Sequence, residues 1–478
     1  MNHSEDCISY PNERVFSLRQ VNLLDLTTSL LTLPKSHLAS KARYISFPPL
    51  THLPSSLPSL IRSRFSSSPA LNNLLPSILS ELKRPANRSE GIEDESVNSL
   101  VERRFGKDFA RNYLSAIVHG IYAADARVLS VRAAFPFLWD AEESGNGSIV
   151  KGILKSAFSE VKPGEDERSF ELGNLKDIMK NVSMFTFKDG METLPRALVD
   201  WLSTKRNAEL KISTRVSSIK PTSSGIDVSC PQLHLFSGKL IIFLVVQLVL
   251  SDDSTLSTSH VISTIPLPTL STLLPPIHTL PNLASNTSST VLVINLIFPP
   301  SPDGKPYHPE GFGYLVPRPS SDYASSLPSP SLSGEVDISS SLLGVIFDSA
   351  MPSSSSSQTQ PTPSNLTRLT LMLGGPHPLP SPLPPVQTLL PPLLTTLSST
   401  LNLPSLPQPL HSKISLQQNC IPTYRVGHLK RMAELREALS GGEWNGNMQV
   451  VGNGVGAVSL GDCVMQGREA ARKVAGMV

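Results

Sequence analysis

The amino-acid sequence predicts a mixed α/β protein, and three stretches carry that prediction. Residues 95–136, ESVNSLVERRFGKDFARNYLSAIVHGIYAADARVLSVRAAFP, space their apolar side chains at helical period. Residues 291–297, 344–348 and 369–373 are apolar runs of strand length, cut apart by Pro and Ser, and suit one mixed sheet. Residues 448–474 read as a strand, a glycine-rich turn (Gly452-Asn453-Gly454-Val455-Gly456) and a helix. A chain of 478 residues has room for a large core in two or three domains.

Taken in order, residues 21–33 predict a helix with Leu23, Leu24, Leu30 and Leu31 on one face. Arg43-Tyr44-Ile45-Ser46-Phe47 alternates as a strand, Pro48-Pro49 turns it, and Leu53-Pro54 closes the unit. Leucines recur among Ser and Pro from 57 to 82, ahead of the basic Lys83, Arg84 and Arg88. In 95–136, Val97, Leu100, Val101 and Phe105 form the first helix, with Asp94 or Ser96 as N-cap and Gly106 as stop. Asp108 is the candidate cap of a second helix carrying Ala110, Leu114, Ile117 and Val118. Gly120-Ile-Tyr then breaks the pattern in a sharp turn, and Ser130 caps a third helix with Val131, Ala134 and Phe135.

Residues 187–198 predict a strand, a turn and a helix packing Leu194, Leu198 and Trp201 inward. Strands are expected at 211–216 and 260–266. Between them, residues 238–247 (GKLIIFLVVQ) interrupt a polar hairpin, and read either as a buried strand or as translated intron sequence without an evident partner. Residues 267–415 alternate short strands with Pro/Ser connections, and 351–363 is a low-complexity, solvated loop. A helix over 429–439 precedes the last strand, and the final helix puts Val464, Gly467, Ala471 and Val474 on one face.

Composition excludes several function classes. A net charge of +2 gives no electrostatic basis for nucleic-acid binding. Four cysteines, Cys7, Cys230, Cys420 and Cys463, lie too far apart for a CxxC pair, which argues against a disulfide framework or structural zinc. No apolar run reaches the roughly 18 residues that span a bilayer. Glu5, Asp6 and few basic residues before Arg14 show no clear presequence, and no GxGxxG follows an apolar strand near the N-terminus.

Longer motifs go beyond composition. Glu95-Ser96-Val97, Arg103-Arg104-Phe105-Gly106, Gly120-Ile121-Tyr122-Ala123, Leu129-Ser130-Val131-Arg132 and Phe135-Pro136 occur in the order found in the protoporphyrinogen oxidase family, which this chain resembles. Gly311-Phe312-Gly313-Tyr314-Leu315-Val316-Pro317, Asn419-Cys420-Ile421-Pro422-Thr423-Tyr424 with Gly427-His428, and Gly461-Asp462-Cys463 extend the likeness to most of the chain from about Leu23. The resemblance implies an FAD-linked oxidoreductase fold with a mixed-sheet substrate domain and a helical membrane-binding domain, the N-terminal Rossmann βαβ unit being absent from this sequence. It divides the chain into FAD-binding (1–40, 201–265, 416–478), substrate (41–56, 161–200, 266–415) and membrane-binding (57–160) segments.

The resemblance further implies oxygen-dependent removal of six electrons from protoporphyrinogen IX, giving protoporphyrin IX and peroxide in haem synthesis. Each of three rounds would pass hydride from a ring carbon to flavin with loss of a pyrrole N–H proton. By the same likeness Arg43 pairs with a propionate, Gly120, Phe312 and Leu315 wall the substrate pocket, and Val216, Leu416, Val458, Ser459 and Leu460 touch FAD. A guanidinium suits a carboxylate because its fork binds two oxygens at once. From period alone, Phe312 and Leu315 would be sheet core and Arg43 a solvated charge. No general base stands out, and His119 and His428 read as structural. The likeness also implies a peripheral place on the mitochondrial inner membrane, a homodimer and a ferrochelatase contact. Competing readings are another flavin amine oxidase, or an inactive remnant or incomplete gene model of this enzyme. Without the N-terminal unit the chain as written is expected to hold FAD poorly.

Overall fold

The computed structural model describes residues 18–47, 50–65, 69–158, 172–212, 214–222, 225–231, 240–244, 253–324, 336–351, 366–456 and 458–476. Its centre is a seven-stranded mixed sheet running, edge to edge, His411–Thr423, Thr287–Phe298, Thr367–Gly374, Leu342–Phe347, Gly313–Leu315, Tyr44–Ile45 and Thr51–His52. All neighbours pair antiparallel except Gly313–Leu315 with Tyr44–Ile45, which run parallel. The three strand candidates of the sequence are therefore adjacent in one sheet. The hairpin is there too, with Pro48-Pro49 outside the described residues.

Alternation along Thr287–Phe298 sends its side chains to two different layers. Leu292, Ile294, Leu296 and Phe298 join a core with Leu369, Leu371 and Leu373, and the helix Val386–Thr400 covers them with Leu389, Leu393 and Leu397. Val291 and Val293 belong instead to a second cluster with Ala123 and Leu343. Sequence reading missed the Val386–Thr400 helix because Pro391 and Pro392 lie inside it. An interior proline costs a helix about 3 kcal/mol. Three fully buried leucines at i, i+4 and i+8, each worth roughly 1.5–3 kcal/mol, offset that.

The helices of 57–158 surround one buried ion pair. Arg104 donates to Glu81 at 2.8 Å with both side chains fully buried. Glu81 also accepts from Ser148 Oγ and Ile149 N–H, each at 2.8 Å, and so joins the helices Pro69–Lys83, Val97–Phe105 and Ile149–Phe158. Beside it, Arg103 bridges Glu95 and Glu142. A third layer packs the helices Leu267–Leu273 and His428–Ser440 around the parallel pair Val261–Ser263 and Met448–Val450.

Several local expectations need correction. Residues 21–33 are not one helix: helix ends at residue 23, Asp25 takes a left-handed φ of 53°, and Leu30–Pro34 is a strand paired with Val182–Phe187. Gly120 does not turn the chain; it lies inside the helix Ser115–Tyr122, which ends instead at left-handed Ala123. Asp108 caps nothing, because its helix starts at Lys107 after Gly106. Ser96, and not Asp94, caps Val97–Phe105, while Asp94 accepts from Ser130 Oγ and Gly427 N–H. Trp201 is half exposed under the Lys205 ammonium, at 4.1 Å from the ring centre. The strand expected at 211–216 is Ala208–Ile212. In the last helix, Leu460–Val474, the buried positions are Gly461, Met465 and Ala470, and Val474 is exposed.

Of residues 238–247, Leu240–Leu244 forms a strand parallel to Ala208–Ile212, so the segment's backbone does have a partner. The low-complexity loop falls mostly outside the described residues, and residues 1–17, read as showing no clear presequence, lie wholly outside them. No helix among the described residues is long and apolar enough to cross a membrane.

Candidate active site

Three distant segments meet at the hairpin edge of the large sheet. The strand Gly313–Leu315 places Tyr314 opposite Tyr44 and Leu315 opposite Ile45. Phe312 N–H donates to the Ala42 carbonyl at 3.1 Å and Ser46 N–H to the Leu315 carbonyl at 2.9 Å. Arg43 stands exposed in this edge, next to Tyr44. Gly313 is required here: its φ is 147°, and a Cβ would lie 2.1 Å from the Val345 carbonyl. The Ser115–Tyr122 helix crosses above, and a Cβ on Gly120 would lie 2.6 Å from a Leu315 methyl. Phe312 and Leu315 are half-buried rather than enclosed, unlike the sheet core around them. Arg43, Gly120, Phe312 and Leu315, the four residues expected at the substrate, thus share one neighbourhood.

Next to Gly120, His119 is buried with both ring nitrogens bonded, Nδ1 to the Val316 carbonyl at 2.7 Å and Nε2 to Tyr323 Oη at 2.8 Å. A carbonyl only accepts, so Nδ1 carries the proton, and in the neutral ring Nε2 accepts from the tyrosine hydroxyl. Burial, above all, lowers the His119 pKa. His377 stands edge-on to both rings, 5.8 Å from His119 and 4.8 Å from Tyr323. It is 6% exposed, and its Nε2 has no hydrogen-bond partner among the described residues. Burial and the neighbouring His119 push its pKa down to about 4, so the imidazole is neutral at pH 7.

His377 lines a cavity of about 530 Å³ at the strand ends, with Thr290, the loop from Gly375 to Leu383, Leu416, Gln418 and Asn419. Gly375 seats that loop on the helix end: a Cβ there would lie 2.4 Å from the Ala123 carbonyl. Sequence reading missed His377 and Tyr323, because a lone histidine in a Pro-rich run carries no spacing signal.

The residues expected on the flavin side form two groups. Leu416, on the edge strand opposite Leu292, lines the cavity just described. Val458, Ser459 and Leu460 open the last helix, where Ser459 Oγ accepts from Asp462 N–H and the Asp462 carboxylate accepts from Ser459 N–H. Val216 is half-buried against the third core layer, which also holds Val455 of the glycine-rich turn. Gly452 and Gly456 in that turn have φ of 108° and 142°. Val458 and Leu460 stay exposed at a 15-residue helix N-terminus, whose positive end favours negative charge. These residues fit the ring end of a flavin. Tyr424 Oη donates to the Asn453 carbonyl, and Tyr424 stacks on His428 at 4.3 Å, bracing the turn. No group of three His, Cys, Asp or Glu among the described residues could hold a metal.

The family model for flavin containing amine oxidoreductases matches residues 16–475. The chain belongs to that family. Among its relatives is the protoporphyrinogen oxidase of Schizosaccharomyces pombe, 28% identical over 97% of this chain and 84% of that one. The Homo sapiens protoporphyrinogen oxidase is also 28% identical, over 96% of this chain and 84% of its own length. Among solved structures, a chain from Exiguobacterium sp. 255-15 superposes with a TM-score of 0.66 at 16% identity, covering 96% of this chain and 85% of that one. Reduced UDP-galactopyranose mutase follows at 0.56 and 13%, over 96% of this chain and 82% of its own. At those identities the likeness establishes the fold: mixed α/β, shared with flavoenzymes. The chain is thus an oxidoreductase of a flavin-dependent family.

Proposed function

We propose that this protein oxidises protoporphyrinogen IX to protoporphyrin IX with bound FAD, oxygen serving as final acceptor. The observation that carries this reading is the hairpin edge. Exposed Arg43, half-buried Phe312 and Leu315, and the close approach of Gly120 supply one guanidinium beside two apolar walls. A flat tetrapyrrole with two propionates calls for that combination: apolar faces for the rings and a forked cation for a carboxylate. Relatives named protoporphyrinogen oxidase, aligned over nearly the whole chain, support it.

FAD, when bound, supplies the two-electron acceptor. The chain's own residues do the rest. Arg43 anchors a propionate, Phe312 and Leu315 orient the ring plane, and Gly120 keeps the helix close enough to exclude water. Val216, Leu416 and Val458–Leu460 are the residues that would hold the cofactor, the last at a helix N-terminus suited to developing negative charge. Peripheral attachment to the mitochondrial inner membrane fits as well, since Ile61, Phe65 and Leu79 are exposed on the helical segment of 57–83. The test is direct. Supplied with FAD, which the chain as written is expected to hold poorly, the purified protein should show a bound-flavin absorbance spectrum and convert protoporphyrinogen IX to fluorescent porphyrin with oxygen uptake. A flavin-loaded chain that leaves protoporphyrinogen at its uncatalysed rate while oxidising an amine would overturn the proposal.

A further inference from the structure

We infer that Tyr44 is a positioning residue of this site: its ring, seated in the space that Gly311 leaves, holds the Arg43 guanidinium at a fixed reach from the Phe312 wall and so favours substrates that carry a carboxylate beside an apolar ring. The inference rests on the function proposed above and adds to it the residue that sets its selectivity. Three observations carry it.

Arg43 has no anchor of its own. Its guanidinium makes no hydrogen bond, ion pair or ring contact among the described residues. Where it stands therefore depends on the backbone beneath it. That backbone is short, since Tyr44–Ile45 is a strand of two residues. Beside it, Leu53 N–H donates to the Arg43 carbonyl at 2.9 Å and Phe312 N–H to the Ala42 carbonyl at 3.1 Å. The register of so short a strand rests on the side chains it packs on its two faces. Ile45 supplies one, buried with Leu74, Tyr113 and Ala116. Tyr44 supplies the other, packed against the core of the large sheet.

Gly311 shows how closely the ring is held. A Cβ there would lie 2.6 Å from Tyr44 Cε2 and 3.0 Å from the Ala42 carbonyl. The Gly311 backbone lies outside the left-handed region, so a positive φ does not explain the glycine. Room does: a side chain at this position would displace the Tyr44 ring and, with it, the strand next to Arg43. The two glycines that flank Phe312 thus have different duties. Gly313 serves its φ of 147° and its contact with Val345, and Gly311 admits the tyrosine.

The ring, finally, joins the two sides of the site. Tyr44 Oη donates to the Glu310 carbonyl at 2.9 Å, two residues before Phe312. Burial, and then the Glu310 charge, raise its pKa, so the hydroxyl stays protonated and keeps that bond. His52 meets the ring edge-on at 5.2 Å from across the hairpin, and Phe347 stands 6.4 Å away on the large sheet. One side chain therefore ties the Arg43 hairpin to the loop that delivers Phe312. A guanidinium held in place loses less freedom when it pairs with a carboxylate, so fixing the hairpin strengthens that pair above all other contacts.

The experiment compares Tyr44→Leu and Tyr44→Phe with wild type, each supplied with FAD, on protoporphyrinogen IX and on its dimethyl ester, whose propionates carry no charge. Both KM values come from one preparation, so a partly unfolded variant does not distort their ratio. Tyr44→Leu should raise KM for protoporphyrinogen IX about tenfold and KM for the ester less than twofold. Tyr44→Phe, which keeps the ring, should stay within about threefold of wild type on both. In an Arg43→Ala background Tyr44→Leu should add less than about twofold, because the group it positions is gone. A merely structural tyrosine predicts equal changes in KM for the two substrates, or a lowered melting temperature with no change in either, and each result would overturn the inference. So would a full tenfold effect without Arg43, or a loss in Tyr44→Phe as large as in Tyr44→Leu. If Arg43→Ala itself leaves KM for protoporphyrinogen IX unchanged, the anchor and this inference fail together while porphyrinogen oxidation stands. If wild type with FAD oxidises neither substrate, the proposed function falls, and this inference with it.

Discussion

Gly120→Ala offers the sharpest test of how the site is built. Inside the Ser115–Tyr122 helix, alanine is favoured over glycine by about 0.8–1 kcal/mol. Against that, the new Cβ would stand 2.6 Å from Leu315 Cδ2 and 3.3 Å from Cδ1, so the leucine must withdraw by about 1 Å to restore ordinary contact. Overpacking of this kind costs about 1–3 kcal/mol. The two effects nearly cancel, and the net loss of stability should be roughly 0–2 kcal/mol. Turnover should have no such compensation if, as proposed, Leu315 walls the substrate pocket: a displacement of about 1 Å can lower turnover by up to about 100-fold. Urea unfolding and kcat/KM for protoporphyrinogen should therefore diverge. Adding Leu315→Ala removes the obstructing methyls, and in that background Gly120→Ala should stabilise by up to about 1 kcal/mol. The sign reversal is the diagnostic. If the two substitutions add to within about 0.5 kcal/mol, glycine and leucine do not touch, and the reasoning about this wall is wrong.

Arg43→Ala should raise KM for protoporphyrinogen by about 10- to 100-fold with flavin content unchanged, since hydrogen bonds to charged groups are worth about 1.5–3 kcal/mol; an unchanged KM removes Arg43 from the site. Phe312→Ala should impair turnover more than it lowers melting temperature, because the ring is only half-buried and is proposed to wall the substrate; a loss of roughly 3–5 kcal/mol of stability with normal kcat/KM would make it core. Arg104→Met should destabilise by about 3–5 kcal/mol by leaving Glu81 buried and unpaired, whereas Arg104→Met with Glu81→Leu should recover much of the loss in a denaturation series; no recovery would refute the pairing argument. His377 and His428 both have folded pKa values lowered to about 4, mainly by burial, against about 6.5 unfolded. The unfolded chain then binds more protons between those values, so stability is full above about pH 6.5 and falls toward pH 4, by up to about 3 kcal/mol per histidine. His428→Phe and His377→Gln should each flatten that decline, and a pH profile that neither changes would show the rings are not buried neutral.

The parts of this protein legible in its sequence are those fixed by local rules. Ser96, Gly106 and Ser130 cap or stop helices as their side chains dictate, and strands in the 291–373 region show their apolar runs plainly. Where tertiary packing overrides local preference, sequence reading fails. Gly120 reads as a breaker and is helical, because only a residue without a side chain lets the helix meet Leu315. Pro391 and Pro392 read as loop and are helical, because the leucines around them have a sheet to cover. The motif residues Arg43, Gly120, Phe312 and Leu315 were legible as a set, and the structure brings them to one edge. His377 was not legible, since its meaning comes from rings supplied by residues 54 and 258 positions away, at Tyr323 and His119.

One short strand carries more of this site than its length implies. Gly313–Leu315 is hydrogen-bonded on one side to Leu342–Phe347 and on the other to Tyr44–Ile45, so it splices the Arg43 hairpin onto the large sheet. At its C-terminal end the Leu315 side chain meets Gly120, and the next carbonyl, Val316, orients His119 against His377. Apolar wall, hairpin and histidine cluster are therefore positioned by four consecutive residues. A change that shifts this strand must move all three together. Substitutions at Gly313, where the backbone is pressed against Val345, should thus damage substrate affinity and turnover in concert, whereas Arg43→Ala should raise KM alone.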